Sequence, residues 1–210
     1  MLQWLVETAD HLKAFSQYFL HDVRVTQVQL DELYALLRAV KEGEVSEAEA
    51  LTRLSRSPHW VWVAMDPVTK LLLAIDVGDR TLAMAQGVVH QVVQVLAAHG
   101  WQINTAFVER LNLSIRQHVA AVGRRVTTLC KGEDGLHQQL ALYHVYHHFC
   151  LPHTALRQPL PQPELTKGTG SAKQWQLQTP AMAAALTDHV WTLREVLLFR
   201  VPPWPQPAGV

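Results

Sequence analysis

Two short apolar runs constrain this chain more than anything else in it. HWVWVAMD at 59–66 and KLLLAIDVGD at 70–79 read as strands, and Pro67-Val68-Thr69 sets proline early in a turn between them. The pair is predicted to form a hairpin buried on both faces. The remaining elements must therefore cover it.

A strand is expected before the hairpin, where VTQVQLDEL alternates Val28 and Leu30 against Gln27, Gln29 and Asp31. LDELYALLRAVKEG would also continue as a helix, and the strand reading is preferred for its first part. Helical spacing marks the opening segment through Leu5, Ala9, Leu12, Phe15 and Phe19. Ser46 and Glu49 form a capping-box signature for a short helix over 46–54. After the hairpin, Leu82, Ala85, Val89, Val92 and Leu96 make one stripe of a helix ending at Gly100. Another stripe runs through Val108, Leu111, Ile115, Val119 and Val122, with Gly123 at the C-terminal cap position. A further helix is predicted from Asp134, as cap, to Phe149. Residues 156–178, rich in Pro, Gln, Gly and Lys, read as a linker or surface loop. Thr179-Pro180 has the order preferred at a helix start, and TDHVWTLREVLLF continues that helix or begins a last one. The tail VPPWPQPAGV cannot be helical.

Composition narrows the function classes. At 210 residues, 49% hydrophobic and 17% charged, the chain has a globular balance. Eighteen basic and eighteen acidic residues cancel, so any nucleic-acid contact must come from a local cluster. Two cysteines, Cys130 and Cys150, fit a reducing cytoplasm better than a disulfide scaffold. No apolar run reaches the roughly 18 residues of a membrane span.

INTAFVERLNLSIRQHVAAVGRR, residues 103–125, is the local basic cluster, and Glu109 is its one acid. At about 100° per helical residue, Glu109, Asn112 and Arg116 share a face beside the apolar stripe. A solvated ion-pair face is one reading, and a site with partner acids elsewhere is the other. Acids near the strands are Asp31, Asp66 and Asp76. Two-metal phosphoryl chemistry needs carboxylates from separate elements to converge on ions about 4 Å apart, and this element order is compatible with it. YHVYHHFCLPH gathers His144, His147, His148, Cys150 and His153, but at no standard zinc spacing, so packed or surface histidines are the favoured reading. Nothing marks Cys130 as a nucleophile, and no phosphate loop or dinucleotide fingerprint occurs.

FVERLNLSIRQHVAAVGRRVTTLCKGEDGL, LALYHVYHHFCLPHTALR and TPAMAAALTDHVWTLREVLL together resemble the C-terminal half of DDE transposases of small bacterial insertion sequences, the group typified by insertion sequence one. VQLDELYALL resembles that family's first catalytic strand, and HWVWVAMDPVTKLLLAIDVGDRT its following hairpin. The likeness spans residues 25 to 200. It implies a ribonuclease-H-like core in which two Asp and one Glu hold Mg²⁺ or Mn²⁺ for DNA cleavage and strand transfer. By that resemblance Asp31 matches the first acid, Glu109 the third, and Arg116 the basic residue seven positions on. The DNA-contacting set would be Arg110, Asn112, Arg116, Arg124, Arg125 and Lys131.

The family's second Asp sits on a strand after the helix of residues 81–98, and here His99-Gly100 runs almost directly into WQINTAFVERLN. Neither Asp66 nor Asp76 lies on the matching strand, and His148 stands where relatives usually carry Asn. Two acids in place of three imply loose metal binding and impaired catalysis.

The expected architecture is α/β, an incomplete ribonuclease-H-like fold with a three-stranded antiparallel sheet packed by helices. Its parts would be an N-terminal helix (1–24), a shortened transposase domain (25–155), a flexible linker (156–178) and a C-terminal helical segment with a Pro-rich tail (179–210). Two classes of function follow: an impaired enzyme acting on insertion-sequence ends and target DNA, or a non-catalytic DNA- or subunit-binding derivative. A decayed reading frame is the third alternative. A cytoplasmic location is expected, as is self-association through the sheet edge left by lost strands.

Overall fold

The computed structural model describes residues 2–35, 59–96, 102–104, 109–119, 122, 133–165, 168 and 170–203. The helix expected over 46–54, the cap at Gly123 and most of the Pro-rich tail lie outside the described residues, whereas the helix expected to reach Gly100 stops at Val95, where Leu96 turns extended and bridges to Val23.

The sheet is built on the expected hairpin. Strands β1 (Gln27–Ala35), β2 (His59–Met65) and β3 (Leu72–Gly78) form an antiparallel meander, with Asp31 opposite Val63 and Val63 opposite Ile75. A fourth strand, β4 (Gln102–Asn104), lies parallel to β1 and pairs Gln27 with Gln102, giving the order β3-β2-β1-β4. The three-stranded expectation is thus extended: the far side of β1, read from the sequence as an open edge, is covered along part of its length. Three residues between two helical stripes carry too short a pattern to announce a strand.

Helices cover both faces. On one face, α2 (Leu82–Val95) begins at Thr81, whose Oγ accepts from the Met84 N–H at 3.3 Å. Its buried stripe is Val88 and Val92, flanked by Met84 and Val95 and packed on Val28, Ala64, Leu73 and Ala74. Val92 and Leu96 of the predicted stripe lie in this cluster, but Val88 is buried where Val89 was expected, and Leu82, in the first turn, is exposed. Alanines and valines on every side of this helix leave its periodicity ambiguous, so the sheet decides which valines go in.

On the opposite face, α3 (Glu109–His118) and α4 (Glu133–Val145) pack on Leu33, Val61, Val63, Leu72 and Val77. Here the expected stripe holds: Leu111, Ile115, Val119 and Val122 are all in the core. Asp134 lies in the first turn of α4, not before it, and the helix passes into a π-helical turn at Tyr146–Cys150.

The N-terminal helix α1 (Leu2–Phe19) packs with the chain's other end. Leu12 and Phe15 join Val145, Phe149, Ala181 and Val196 in an aromatic-rich cluster that includes Phe19, Trp191 and Phe199. Phe15 meets Phe149 edge-on at 5.0 Å between ring centres, a favoured aromatic geometry. The segment from 156 to 178 departs from the linker expectation. Gln158–Glu164 (β5) and Lys173–Gln176 (β6) form an exposed antiparallel pair, with Arg157 stacked on Trp175 at 4.3 Å. Composition hides this pair because neither strand has a buried face to produce an alternating pattern. Thr179 caps α5 (Pro180–Ala183) as expected, and α6 (Leu193–Leu198) is a separate helix with its own Thr192/Glu195 capping box.

Candidate functional site

Along β1, Gln29, Asp31 and Leu33 share the face toward α3 and α4, while Val28, Leu30 and Glu32 face α2, because successive strand side chains alternate. Asp31 is half-buried near the middle of the strand. Its Oδ2 accepts from Asn112 Nδ2 at 2.5 Å, and its Oδ1 accepts from the Glu32 N–H at 2.8 Å. The acid of the first strand and the amide of α3 therefore meet across the sheet face.

The roll of α3 fixes this meeting. Leu111 and Ile115 anchor the helix in the core, and Tyr143 of α4 donates to Ser114 Oγ at 3.0 Å. Asn112, next to Leu111, is carried to the margin of the buried stripe and is only 7% exposed. The sequence grouped it with residues contacting DNA; the fold turns it inward onto Asp31 instead. Arg116, one turn further on, is exposed. Glu109 opens α3, but its side chain, like that of Arg110, lies outside what the structure describes; Arg124, Arg125 and Lys131 lie outside the described residues.

Asn112 uses only half of its amide. Its Oδ1 is buried and has no hydrogen-bond partner among the described residues, and the same is true of Oε1 of Gln29, two residues from Asp31 on that face of β1. Buried carbonyl oxygens without a donor are costly, about 1–3 kcal/mol each. This face thus holds a carboxylate and two unsatisfied oxygen acceptors.

The other acids are committed elsewhere. Asp66 forms the β2–β3 turn: its carboxylate accepts from the backbone of Val68 and Thr69, at 3.2 and 2.9 Å, and from the Thr69 hydroxyl at 2.5 Å. Lys70 then takes the left-handed conformation, φ 62°, that closes the loop. Asp76 lies in the neighbouring row on the α2 face, opposite Trp62, and accepts from Gln91 of α2 at 2.6 Å. Its second oxygen is 3.9 Å from His137 Nδ1 of α4, around the β3 edge. Neither carboxylate joins Asp31. The acid on the α2 face of β1, Glu32, pairs with Arg80 at 2.6 Å.

The histidines between α4 and the hairpin form a structural clamp. His144 Nε2 donates to the Leu72 carbonyl at 2.8 Å and its Nδ1 lies 3.2 Å from the Ser16 hydroxyl of α1. His148 Nε2 accepts from the Leu72 N–H at 2.8 Å, and His147 Nε2 donates to the Lys70 carbonyl at 3.1 Å. The outer backbone groups of an edge strand are thus taken up by imidazoles. Burial pushes His144 and His147 down to about 4 and His148 well below the usual histidine range, so all three are neutral at pH 7. Burial, then the nearby Glu195, raises the Cys150 thiol to about 11, and His153 caps the short turn at Thr154–Leu156. Among the described residues no group of three or more His, Cys, Asp or Glu is disposed to hold a metal ion. His147 and His148 are buried, and with His144 they are bonded to the hairpin backbone, as packed histidines would be. What sequence reasoning missed was their target, a strand edge 72 or more residues away.

Among the described residues, no helix is long and apolar enough to cross a membrane. Comparisons with family models, with curated proteins and with solved structures each find no match.

Proposed function

We propose that this chain is a derivative of a DDE transposase with a ribonuclease-H-like core, one that engages insertion-sequence DNA and is impaired in cutting it. The observation that carries the reading is the contact of Asp31 with Asn112, three residues after Glu109. It brings the acid of the first strand beside the helix that opens on the other acid. Element order supports the same reading: the meander bearing Asp31, then α2, β4 and the Glu109 helix follow one another as the resemblance implies. The strand after α2 is where the family's second acid belongs, and Gln102, Ile103 and Asn104 include no acid.

The donor set fits one oxygen-liganded Mg²⁺ or Mn²⁺ better than two. Asp31 offers a carboxylate and Glu109 is the second by resemblance, while among the described residues no group of three or more His, Cys, Asp or Glu is disposed to hold a metal ion. A second ion lacks its carboxylate, since Asp66 holds a turn and Asp76 faces α2. When bound, a divalent ion supplies Lewis-acid activation of water and of the phosphodiester. The chain's own residues do the remainder: Asn112 orients Asp31, and the exposed Arg116 presents a cation to backbone phosphate.

The test is fluorescence anisotropy with a duplex carrying insertion-sequence ends, titrated between about 50 and 200 mM salt, beside a Mn²⁺ nicking assay. Binding that weakens steeply with salt, and a salt slope lower by about 1 in Arg116→Gln, is the expected result. No binding at the lowest salt overturns the proposal. Efficient nicking that disappears in Asp31→Ala would restore the full enzyme reading, and sedimentation of the same samples reports whether two copies associate.

A further inference from the structure

The β5–β6 pair has no part in the core. Apart from Leu160, every residue of its two strands is exposed, and a two-stranded pair without a buried face is marginal on its own. It is held at its base instead: the His153 N–H donates to the Gln178 carbonyl at 2.8 Å, and Thr179 and Pro180, which follow, are buried. An anchored ribbon therefore stands clear of the domain.

Its chemistry is one-sided. Across 157–178 there are three basic residues, Arg157, Lys167 and Lys173, against one acid, Glu164, in a chain whose charges cancel overall. Glu164 is itself paired with Lys173 at 3.4 Å. The Arg157 guanidinium stacks on Trp175 at 4.3 Å, which fixes its plane and engages its face rather than its N–H edge. Gln158 lies opposite Gln176, so by strand alternation Gln158, Gln174 and Gln176 share the face away from Trp175, and all three are exposed. A glutamine amide matches adenine N6 and N7, and a two-stranded ribbon fits a major groove roughly 12 Å wide. Prolines at 159, 161 and 163 strip backbone donors from β5, which makes it a poor template for a strand of another chain. What the ribbon presents is therefore side chains.

Resting on the reading under Proposed function, we infer that the β5–β6 arm is a DNA contact separate from α3, a ribbon that enters the major groove of duplex DNA. Its glutamine face meets base edges. Arg157 and Lys173, near the two ends of the paired strands, reach the flanking phosphates. Glu164 holds Lys173 in place and, as the arm's one carboxylate, also limits its affinity.

The experiment is fluorescence anisotropy of the full chain on a mixed-sequence duplex between about 50 and 200 mM salt. Dimethyl sulfate footprinting accompanies it, because the reagent methylates guanine N7 in the major groove and adenine N3 in the minor. Expected are protection at guanine N7 and a salt slope lower by about 1 in Arg157→Gln. The double variant Gln158→Ala/Gln176→Ala is expected to bind about fivefold or more weakly at unchanged slope. Glu164→Gln removes the arm's carboxylate and is expected to bind more tightly, a gain that misfolding cannot imitate. Wild-type affinity and slope in all three variants, or protection confined to adenine N3, overturns the inference. So does a changed sedimentation coefficient with unchanged DNA binding, which makes the arm a contact between copies of the chain. Binding that depends on Arg116 and not on the arm removes this inference and leaves the proposed function standing, whereas binding that depends on the arm and not on Arg116 does the reverse. No binding at the lowest salt removes both.

Discussion

The same face of the sheet carries two polar contacts with helices, and they differ in what they satisfy. At the β3 edge, His144, His147 and His148 reach backbone groups of Lys70 and Leu72, all three neutral and buried. In the middle of β1, half-buried Asp31 accepts from Asn112 and from the Glu32 N–H, and the Asn112 carbonyl has no partner among the described residues. The first contact closes a strand edge that would otherwise present unpaired groups. Both contacts leave polar atoms without a partner among the described residues, Nδ1 of His147 and His148 in the first and Oδ1 of Asn112 in the second, so what separates them is that the clamp is neutral and holds backbone while the second contact holds a half-buried acid.

Acidification should break the first contact most strongly. The folded state holds His144 and His147 near pKa 4 and His148 well below the usual histidine value, against about 6.5 when unfolded. Unfolding therefore takes up protons below pH 6.5, and the stabilisation present above that pH is lost as pH falls toward 4. The loss should approach roughly 1 kcal/mol per pH unit for each histidine, seen as a falling urea midpoint between pH 7 and 5. A midpoint constant over that range would contradict the clamp.

Removing one member comes next. His148→Ala leaves the Leu72 N–H without its acceptor and opens a cavity, and should cost about 3 kcal/mol. His148→Asn keeps an acceptor near the same place and should cost less than the alanine. Equal losses in urea denaturation would show that volume, not the hydrogen bond, matters there.

A smaller effect separates the acids. Asp66→Ala removes three hydrogen bonds that shape the hairpin turn and should cost about 2 kcal/mol. Asp31→Ala should cost under about 1 kcal/mol, since it also relieves a half-buried charge. If Asp31 proves the more costly of the two in the same denaturation series, the division between structural and functional acids made here is wrong.

Much of the fold was legible. The hairpin, β1 and the α3 stripe follow from period alone, because Leu111 and Ile115 make the apolar face of the helix, and Val119 and Val122, just beyond its end at His118, continue into the same core. The register of α2 was legible only in part: Val92 was read from the sequence, but its valines and alanines offer more than one apolar face, and packing on Ala64 and Ala74 selects Val88 over Val89. The β5–β6 pair was hidden by prolines and glutamines that read equally as loop.

Of the candidate site, local pattern determined that Glu109, Asn112 and Arg116 lie on one side of a helix, and that Asp31 lies on the polar face of a strand. Which of them meet is a property of the packed layers. The burial of Leu111 and Ile115 sets the roll of α3, and that roll, with the alternation of β1, turns Asn112 onto Asp31 and leaves Arg116 outside. The roles of Asp66 and Asp76 were likewise decided by tertiary structure, one by the path of a turn and the other by the face of β3 it falls on. A sequence specifies periods along each element, whereas contacts between elements depend on how buried faces share one interior, and that is settled only when all of them pack at once.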